Sequence, residues 1–216
     1  MRNGVKQTGK QNYQCKACGR QFQDSYQYAG CVVHNKELVV KALCRGSGVK
    51  DCCVLSGISK ATVLRLIKHQ AASIVIKPKK YTYSQVQIDE QWSYVGKKQK
   101  KVWMLYAYAP EENEILGFAM GKRSAETIRR LMMKLKSLDI QWFLTDWWEA
   151  FAAVLPADRH LSGKQYTKNI EGVNTWFRTR VRRLMRRTTC FSKKLIYHYS
   201  MIKILIHHRN SKSSYI

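Results

Sequence analysis

Acidic residues are scarce in this chain of 216 residues, and most of them fall within one stretch of it. There are 39 Lys and Arg against 14 Asp and Glu, and 11 of those acids lie in residues 81–171. Residues 1–80 hold three acids against 15 bases, and residues 172–216 hold no acid against 11 bases. Acids at sheltered positions in so basic a chain need a physical reason. Those that the pattern singles out are Asp89, Asp146 and Glu171.

The net charge of +25 and the pI near 10.0 indicate nucleic acid as the partner. A basic protein of the ribosomal kind is the alternative, and the six Trp and long apolar runs argue against it. No apolar run approaches the roughly 18 residues of a membrane-spanning helix, and residues 1–11 are too polar for a secretory signal. Seven Cys, an odd number, suit a reducing compartment. We therefore expect a prokaryotic cytoplasmic protein associated with the nucleoid.

Residues 1–34 are polar and contain one C-x-x-C-G motif, at Cys15, Cys18 and Gly19. This motif is typical of a zinc knuckle, in which two thiolates converge on one metal ion. A zinc site needs four ligands, and Cys31 and His34 are the downstream candidates. We interpret the segment as part of a zinc ribbon, with an ordinary reduced cysteine pair as the alternative.

Residues 35–69 show helical periodicity and are predicted to form a helix-turn-helix DNA-binding domain. Residues 49–55 form its first helix, Ser56–Ile58 the turn and residues 59–69 a basic second helix that Ser59 caps. The alternative is a helical hairpin with a solvated basic face. Residues 70–84 are predicted to be a linker. The residues of the second helix that we expect to contact DNA are Lys60, Thr62, Arg65 and Lys68.

Residues 85–200 carry alternating strand and helix patterns and are predicted to form an α/β domain with a mixed sheet. The predicted order is β-β-β-α-β-α-β-α, and residues 201–216 are predicted to be a basic C-terminal tail. The strands are predicted at 85–95, 102–108, 115–120 and 141–145, with a short one near His160; the helices are predicted at 125–138 and 147–155, with a long one through 170–185. The acids Glu111, Glu112 and Glu114 are expected in a solvated turn.

The three singled-out acids fall at the first strand, the end of the fourth strand and the start of the last long helix. If the fourth strand pairs with the first, Asp89 and Asp146 come side by side, and the helix can bring Glu171 across. Three neighbouring carboxylates repel one another unless cations lie between them, so the arrangement implies Mg²⁺. Alternation along a strand predicts that only one of Asp89 and Glu90 faces the site. Taken singly, such acids are more often helix caps or partners of a helix dipole.

These segments resemble the transposases of the insertion sequence 1 type, which are DDE enzymes. The resemblance rests on CKACGRQFQ (residues 15–23), SGISKATVLR (56–65), DEQWSYVGKK (89–98), LTDWWEAF (144–151), and Ile170-Glu171 followed by RTRVRRLMRRTTCFSK (178–193). The zinc finger of that family opens with an earlier C-x-x-C, so we expect this chain to be truncated within the finger, upstream of Met1.

The resemblance implies a ribonuclease-H-like fold, Asp89, Asp146 and Glu171 as catalytic acids, and Mg²⁺ or Mn²⁺ as cofactor. It implies cleavage at element ends and joining of the 3′-OH to target DNA, by a homo-oligomer on double-stranded DNA. A remnant that binds inverted repeats without chemistry, and a nuclease of the same fold, are the rival hypotheses. The further residues that we expect to contact DNA are Lys97, Lys98, Lys100, Lys101, His160, Arg178, Arg182, Arg183, Arg186 and Arg187.

Overall fold

A computed structural model describes residues 1–26, 28–185 and 190–212 of the chain. Its N-terminal part is a small antiparallel sheet of three strands in the order β1-β2-β3. The strands are β1 (Arg2–Val5), β2 (Gln11–Gln14) and β3 (Gln21–Phe22). Tyr13 pairs with Phe22 across this sheet, and their rings stack with centroids 5.6 Å apart. The C-x-x-C-G motif forms the turn between β2 and β3.

Three helices follow: α1 (Val33–Cys44), α2 (Val49–Ser56) and α3 (Lys60–Ser73). The turn between α2 and α3 contains Gly57 at a φ of 65°, a left-handed conformation that glycine adopts without strain. Ser59 caps α3, since its side chain accepts a hydrogen bond of 3.3 Å from the backbone N–H of Thr62. Two helices and a turn therefore lie where the periodicity predicted them.

The predicted linker is shorter than residues 70–84. Helix α3 continues to Ser73, Ile74 is buried, and the next strand begins at Thr82. The helical unit also shares one hydrophobic core with the rest of the chain, in which Val63 and Ile67 of α3 join Phe177 and Leu205. The three helices are therefore packed onto the α/β part of the chain instead of being tethered to it.

The central sheet has five strands in the order β6-β5-β4-β7-β8. Strands β4, β5 and β6 form an antiparallel meander, whereas β7 and β8 run parallel to β4. The predicted mixed sheet is thereby confirmed. The strands are β4 (Thr82–Tyr94), β5 (Lys101–Ala109), β6 (Glu114–Gly121), β7 (Asp139–Thr145) and β8 (His160–Ser162).

Helices cover both faces of this sheet. One face packs against α4 (Ala125–Leu135) and α5 (Glu149–Ala152), which bury Ile128, Leu131 and Phe151. The other face packs against α6 (Lys168–Arg180) and α7 (Leu195–Lys212). The order of strands and helices thus follows the predicted β-β-β-α-β-α-β-α pattern.

Three predictions at the ends of elements were wrong. Residues 201–212 are not a tail, because α7 spans them and buries Ile202 and Leu205 completely. The long helix predicted through residue 185 ends at Arg180, and a 3-10 turn follows at Arg182–Leu184. Glu114 is fully buried at the start of β6, where its carboxylate accepts a hydrogen bond from the Tyr83 hydroxyl.

Within residues 1–26, 28–185 and 190–212, every helix is too short or too polar to span a lipid bilayer.

Candidate active site

The parallel pairing of β4 with β7 brings Asp89 and Asp146 together. The register aligns Gln87 with Leu144, so the positions two residues further along each strand are those of the two aspartates. Asp146 directly follows the last residue of β7, where the strand pairing with β4 has ended. The pairing on which the predicted meeting of these acids depended is therefore present.

Glu90 joins the two aspartates. One carboxylate oxygen from each of Asp89, Glu90 and Asp146 lies within 4.8 Å of the others. The two side chains still have different partners, since Asp89 bonds Asn174 of α6 and Glu90 bonds Arg123 just before α4, and the expectation that only one of them belongs to the site stays a prediction. Alternation fixes where a side chain leaves the strand, but β4 has no β7 partner beyond Gln87, and a glutamate is long enough to reach around that open edge.

Asp89 is held by α6 and by its own strand. The Asn174 side-chain amide donates to its Oδ2, and the backbone N–H of Glu90 donates to its Oδ1 at 2.7 Å. Asn174 is itself fixed, because its Oδ1 accepts hydrogen bonds from the Tyr106 hydroxyl at 2.8 Å and from the Gln91 amide. Burial raises the pKa of Asp89, while the bond from Asn174 acts in the opposite direction.

Glu90 is paired with Arg123. Its Oε1 accepts from the Arg123 Nε at 2.8 Å and lies 2.6 Å from Nη2. The guanidinium lies over the rings of Trp148 and Trp103, at 4.4 and 5.2 Å from their centroids. Burial raises the pKa of Glu90 to about 7, although the bond from Arg123 opposes this.

Asp146 is held by the start of the next helix. The backbone N–H of Trp148 donates to its Oδ1 at 3.1 Å. Its neighbour Thr145 lies 2.8 Å, Oγ1 to Nε2, from His160 on β8, and burial lowers the pKa of that histidine. His160 therefore lies beside the acidic group, bonded to the strand end that carries Asp146.

Glu171 lies outside this group. It is exposed on the first turn of α6, and its carboxylate is not among the oxygens within 4.8 Å of one another. Side chains three residues apart share one face of a helix, so Glu171 neighbours Asn174, which bonds Asp89. Its place in a catalytic triad stays a prediction.

The acidic group suits a divalent cation. Mg²⁺ and Mn²⁺ prefer oxygen ligands, and carboxylates around one such ion lie about 3–4 Å apart, given metal–oxygen distances of about 2.1 Å. One oxygen of Glu90, Oε2, is buried and has no hydrogen-bond partner among the described residues. Asp89, Glu90 and Asp146 would hold the ion, and Glu171 is the nearby acid that helix α6 carries.

The predicted DNA contacts occupy several surfaces. Lys60, Arg65 and Lys68 are exposed on α3, while Thr62 is half-buried and bonds the cap residue Ser59. The lysines at 97, 98 and 100 are exposed between β4 and β5, and Lys101 is exposed at the first position of β5. Arg178 and Arg182 are also exposed. Arg183 is different, because it donates to Ser192 Oγ at 3.1 Å and to the Tyr197 carbonyl. Arg186 and Arg187 lie outside the described residues.

The cysteine pair lies in a tight turn. The Gly19 N–H donates to the Cys15 carbonyl at 2.9 Å, and backbone N–H groups of Cys18 and Ala17 lower the pKa of the Cys15 thiol. Neither Cys31 nor His34 completes a group of three ligands with this pair in the part of the chain that the structure describes. Zinc binding stays a prediction.

Sequence reasoning missed Asn174, Tyr106 and Arg123. A polar row along β4 carried the signal, since Gln87, Asp89, Gln91 and Ser93 occupy every second position, with Ile88, Glu90 and Trp92 between them. Its members bond the helices above them; for example, Gln87 Oε1 accepts from the Ile170 N–H at 2.8 Å. A row of polar residues on a buried face predicts polar partners on the helix that covers it.

Comparison with known proteins shows the family of this chain. The family model described as IS1 transposase matches residues 84–212. This chain belongs to the IS1 transposase family. The match includes β4, β7, α6 and α7, and with them the acidic group.

Two curated relatives are insertion-element proteins. The insertion element iso-IS1n protein InsB of Shigella dysenteriae is 38% identical over 120 residues, or 56% of this chain and 92% of the relative. The IS1 9 protein InsB of Escherichia coli K12 is 33% identical over 148 residues, 66% of this chain and 89% of the relative. A simian T-cell lymphotropic virus intasome in complex with a PP2A regulatory subunit is a distant structural match, with TM-score 0.39, 14% identity, and coverage of 77% of this chain and 64% of that one.

Proposed function

We propose that this chain is a DNA transposase that cleaves DNA at the ends of its mobile element and joins the freed 3′-OH to target DNA. The observation that carries the proposal is the acidic group formed within β4 and just after β7, where oxygens of Asp89, Glu90 and Asp146 lie within 4.8 Å of one another. The group lies within the stretch that matches the family and in a chain of net charge +25. The strand order suits the ribonuclease-H-like fold that the resemblance implies.

In this proposal Asp89 and Asp146 hold Mg²⁺ or Mn²⁺, and Glu171 is the third catalytic acid. Divalent cations held there would supply the positive charge that activates an attacking oxygen and stabilises a leaving oxygen in phosphoryl transfer. Asn174 and the Trp148 N–H fix the two aspartates before the ion binds. His160 lies close enough to contact the DNA strand beside Asp146 or to orient that end of β7.

The DNA would lie on the basic surfaces. Helix α3 presents Lys60, Arg65 and Lys68 for the inverted repeat, as a helix-turn-helix does. The lysine loop, residues 97–101, follows the C-terminal end of β4, downstream of Asp89 on the same strand. It can therefore hold the backbone of the cleaved strand. Because two element ends must meet, we propose that the active form is a homo-oligomer assembled on DNA in the nucleoid.

The test is a cleavage and strand-transfer assay. The protein is incubated with Mg²⁺ or Mn²⁺ and a labelled duplex that carries its own element end, and nicked and joined products are measured. Asp89→Asn, Asp146→Asn and Glu171→Gln should each abolish product while leaving binding of the duplex intact. Product that persists in either aspartate variant would overturn the proposal.

One observation favours a second candidate function. Because Glu171 is exposed and lies outside the acidic group, the chain would also suit a remnant that binds inverted repeats and represses or competes without cutting. Specific binding of the element end, with no product at any metal concentration, would support this alternative.

A further inference from the structure

The carboxylate of Glu90 is buried, yet only one of its oxygens is used. Its side chain is 5% exposed. Oε1 takes both contacts from Arg123, at 2.8 Å from Nε and 2.6 Å from Nη2. Oε2 is buried without a hydrogen-bond partner among the described residues. A buried carboxylate oxygen that has lost water and gained no donor is costly, so Oε2 is open to a further cation in addition to Arg123, whose contacts go to Oε1.

The position of Glu90 beside the two aspartates indicates where a further cation would lie. The carboxylate contributes an oxygen to the group with Asp89 and Asp146, within 4.8 Å of both. Oxygens around one Mg²⁺ or Mn²⁺ lie about 3–4 Å apart, so the three carboxylates would draw closer together when one ion binds them all. A cation there would satisfy Oε2 and would relieve the mutual repulsion of three carboxylates.

The contacts around Glu90 also fix its side chain beside Asp89 and Asp146. Trp148 lies against the Arg123 guanidinium, 4.4 Å from ring centroid to Cζ, and its backbone N–H bonds Asp146 at 3.1 Å. One residue therefore positions Asp146 directly and Glu90 through Arg123. If Glu90 were only the counter-ion of Arg123, a fork of two bonds to both oxygens would be the better arrangement; both contacts go to Oε1 instead.

We propose that Glu90 is a direct ligand of the divalent cation, together with Asp89 and Asp146, and that Arg123 holds its other oxygen in place. The identity of the cation as a cofactor rests on the proposed function. The coordination itself does not depend on DNA cleavage and is measured without DNA.

The experiment measures Mn²⁺ binding to the full chain by the loss of the free Mn²⁺ signal in electron paramagnetic resonance. Glu90→Gln keeps the size of the side chain and removes its charge, and should weaken Mn²⁺ affinity by about tenfold or more. Glu126→Gln is the matched control, because Glu126 is an exposed acid on α4 whose nearest cation, Arg130, is 3.9 Å away. It should leave the affinity unchanged.

Removing the partner of Arg123 can itself destabilise the chain. The double variant Glu90→Gln with Arg123→Gln removes both charges, and it should fold as judged by circular dichroism while still binding Mn²⁺ weakly. Wild-type affinity in a folded Glu90→Gln or double variant would overturn the proposal. Weakened Mn²⁺ binding in a protein that never cleaves DNA would support this ligand assignment and count against the proposed function alone.

Discussion

The side-chain amide of Asn174 donates to Asp89 across the boundary between α6 and β4. Two further bonds hold Asn174 in this orientation, one from the Tyr106 hydroxyl at 2.8 Å and one from Gln91. Asn174 is buried, as are Tyr106 and Gln91. A buried amide fixed by several hydrogen bonds holds the carboxylate next to it in one orientation, which is how a residue behind a metal ligand positions that ligand.

Asn174→Ser should therefore lower the rate of metal-dependent cleavage by about 10–100-fold, the usual cost of losing a residue that orients a metal ligand. The serine cannot reach Asp89, so that carboxylate can rotate. The measurement is the single-turnover nicking rate against Mn²⁺ concentration. A role in positioning predicts that half-saturation moves to higher Mn²⁺ as well.

Thr175→Ala is the control, since Thr175 is the exposed neighbour whose hydroxyl bonds only the Glu171 carbonyl of its own helix. Thr175→Ala should change neither the nicking rate nor the Mn²⁺ concentration at half-saturation. A wild-type rate and metal dependence in folded Asn174→Ser would remove Asn174 from the site.

His198 of α7 is the second buried polar anchor of β4. Its Nε2 lies 2.9 Å from Ser93 Oγ and its Nδ1 lies 3.3 Å from Ser192 Oγ. Burial first, and then the charge of Arg183, lower its pKa to about 4. An unfolded histidine has a pKa near 6.5, so between these values the unfolded chain binds a proton that the folded chain does not.

The free energy of unfolding should therefore fall as the pH drops from about 6.5 to 4, by up to about 3 kcal/mol from this residue. Above pH 6.5 the stabilisation from His198 is fully present, because the histidine is neutral there in both the folded and the unfolded chain. Urea unfolding at several pH values measures it. His198→Gln keeps an amide able to bond the serines, and should be less stable at neutral pH but less sensitive to acid. Equal pH slopes in the two proteins would contradict the assignment, since the other titrating groups are common to both.

Helix α7 joins the helical unit to the sheet through its buried side chains. Leu205 is completely buried in the core that also contains Val63 and Ile67 of α3. Leu205→Ala should lower the free energy of unfolding by about 2–5 kcal/mol, the range for truncating a buried leucine. Urea unfolding followed by tryptophan fluorescence and circular dichroism measures it, and the two signals should change together because the core is shared.

Ile196→Ala provides the comparison on the same helix, because Ile196 is 46% exposed. We expect a change under about 1 kcal/mol. Separate transitions for the two signals, or a Leu205→Ala variant as stable as wild type, would show that α7 does not tie the two parts together.

The pairing of Asp89 with Asp146 could be predicted because strand periodicity places both elements and parallel neighbours end at one edge of a sheet. Glu90 could not, because alternation describes the direction of the Cβ and says nothing of how far a glutamate reaches around an unpaired edge. The contacts of Asn174 and Tyr106 at the site could not be predicted either, for a related reason. Buried polar partners are chosen by contacts between elements far apart in sequence, which no local pattern contains.

The sequence predicts a basic tail at residues 201–216, whereas α7 spans residues 201–212 of it, and apolar and polar residues do not separate into two faces along this helix. Ile202, Ile204, Leu205 and Ile206 are all buried, so apolar side chains point in several directions. A helix that is apolar on several sides is one that neighbours cover. Here α3 covers one side and the sheet another, and that arrangement exists only in the folded chain.

The lysine loop between β4 and β5 follows the C-terminal end of β4. Asp89 and Asp146 lie toward that same end of the strand. Lys97 and Lys98 are exposed there, so contact with DNA phosphates would release counterions. Replacing both by Gln should weaken binding of the element end and reduce the slope of log K against log salt by about 1.8, or roughly 0.9 per phosphate contact. Titrations at several salt concentrations by fluorescence anisotropy measure the slope.

The double variant Arg129→Gln with Lys136→Gln removes the same charge from α4. Lys136 lies just before β7 begins, at the opposite end of that strand from Asp146. A general electrostatic attraction between a basic protein and DNA would make the two double variants equal, because both lower the net charge by two. A contact at the lysine loop predicts instead that only the first variant loses slope, since counterions are released where phosphates are actually neutralised. Equal slopes would leave the loop as a solvated basic turn and place the cleaved strand elsewhere.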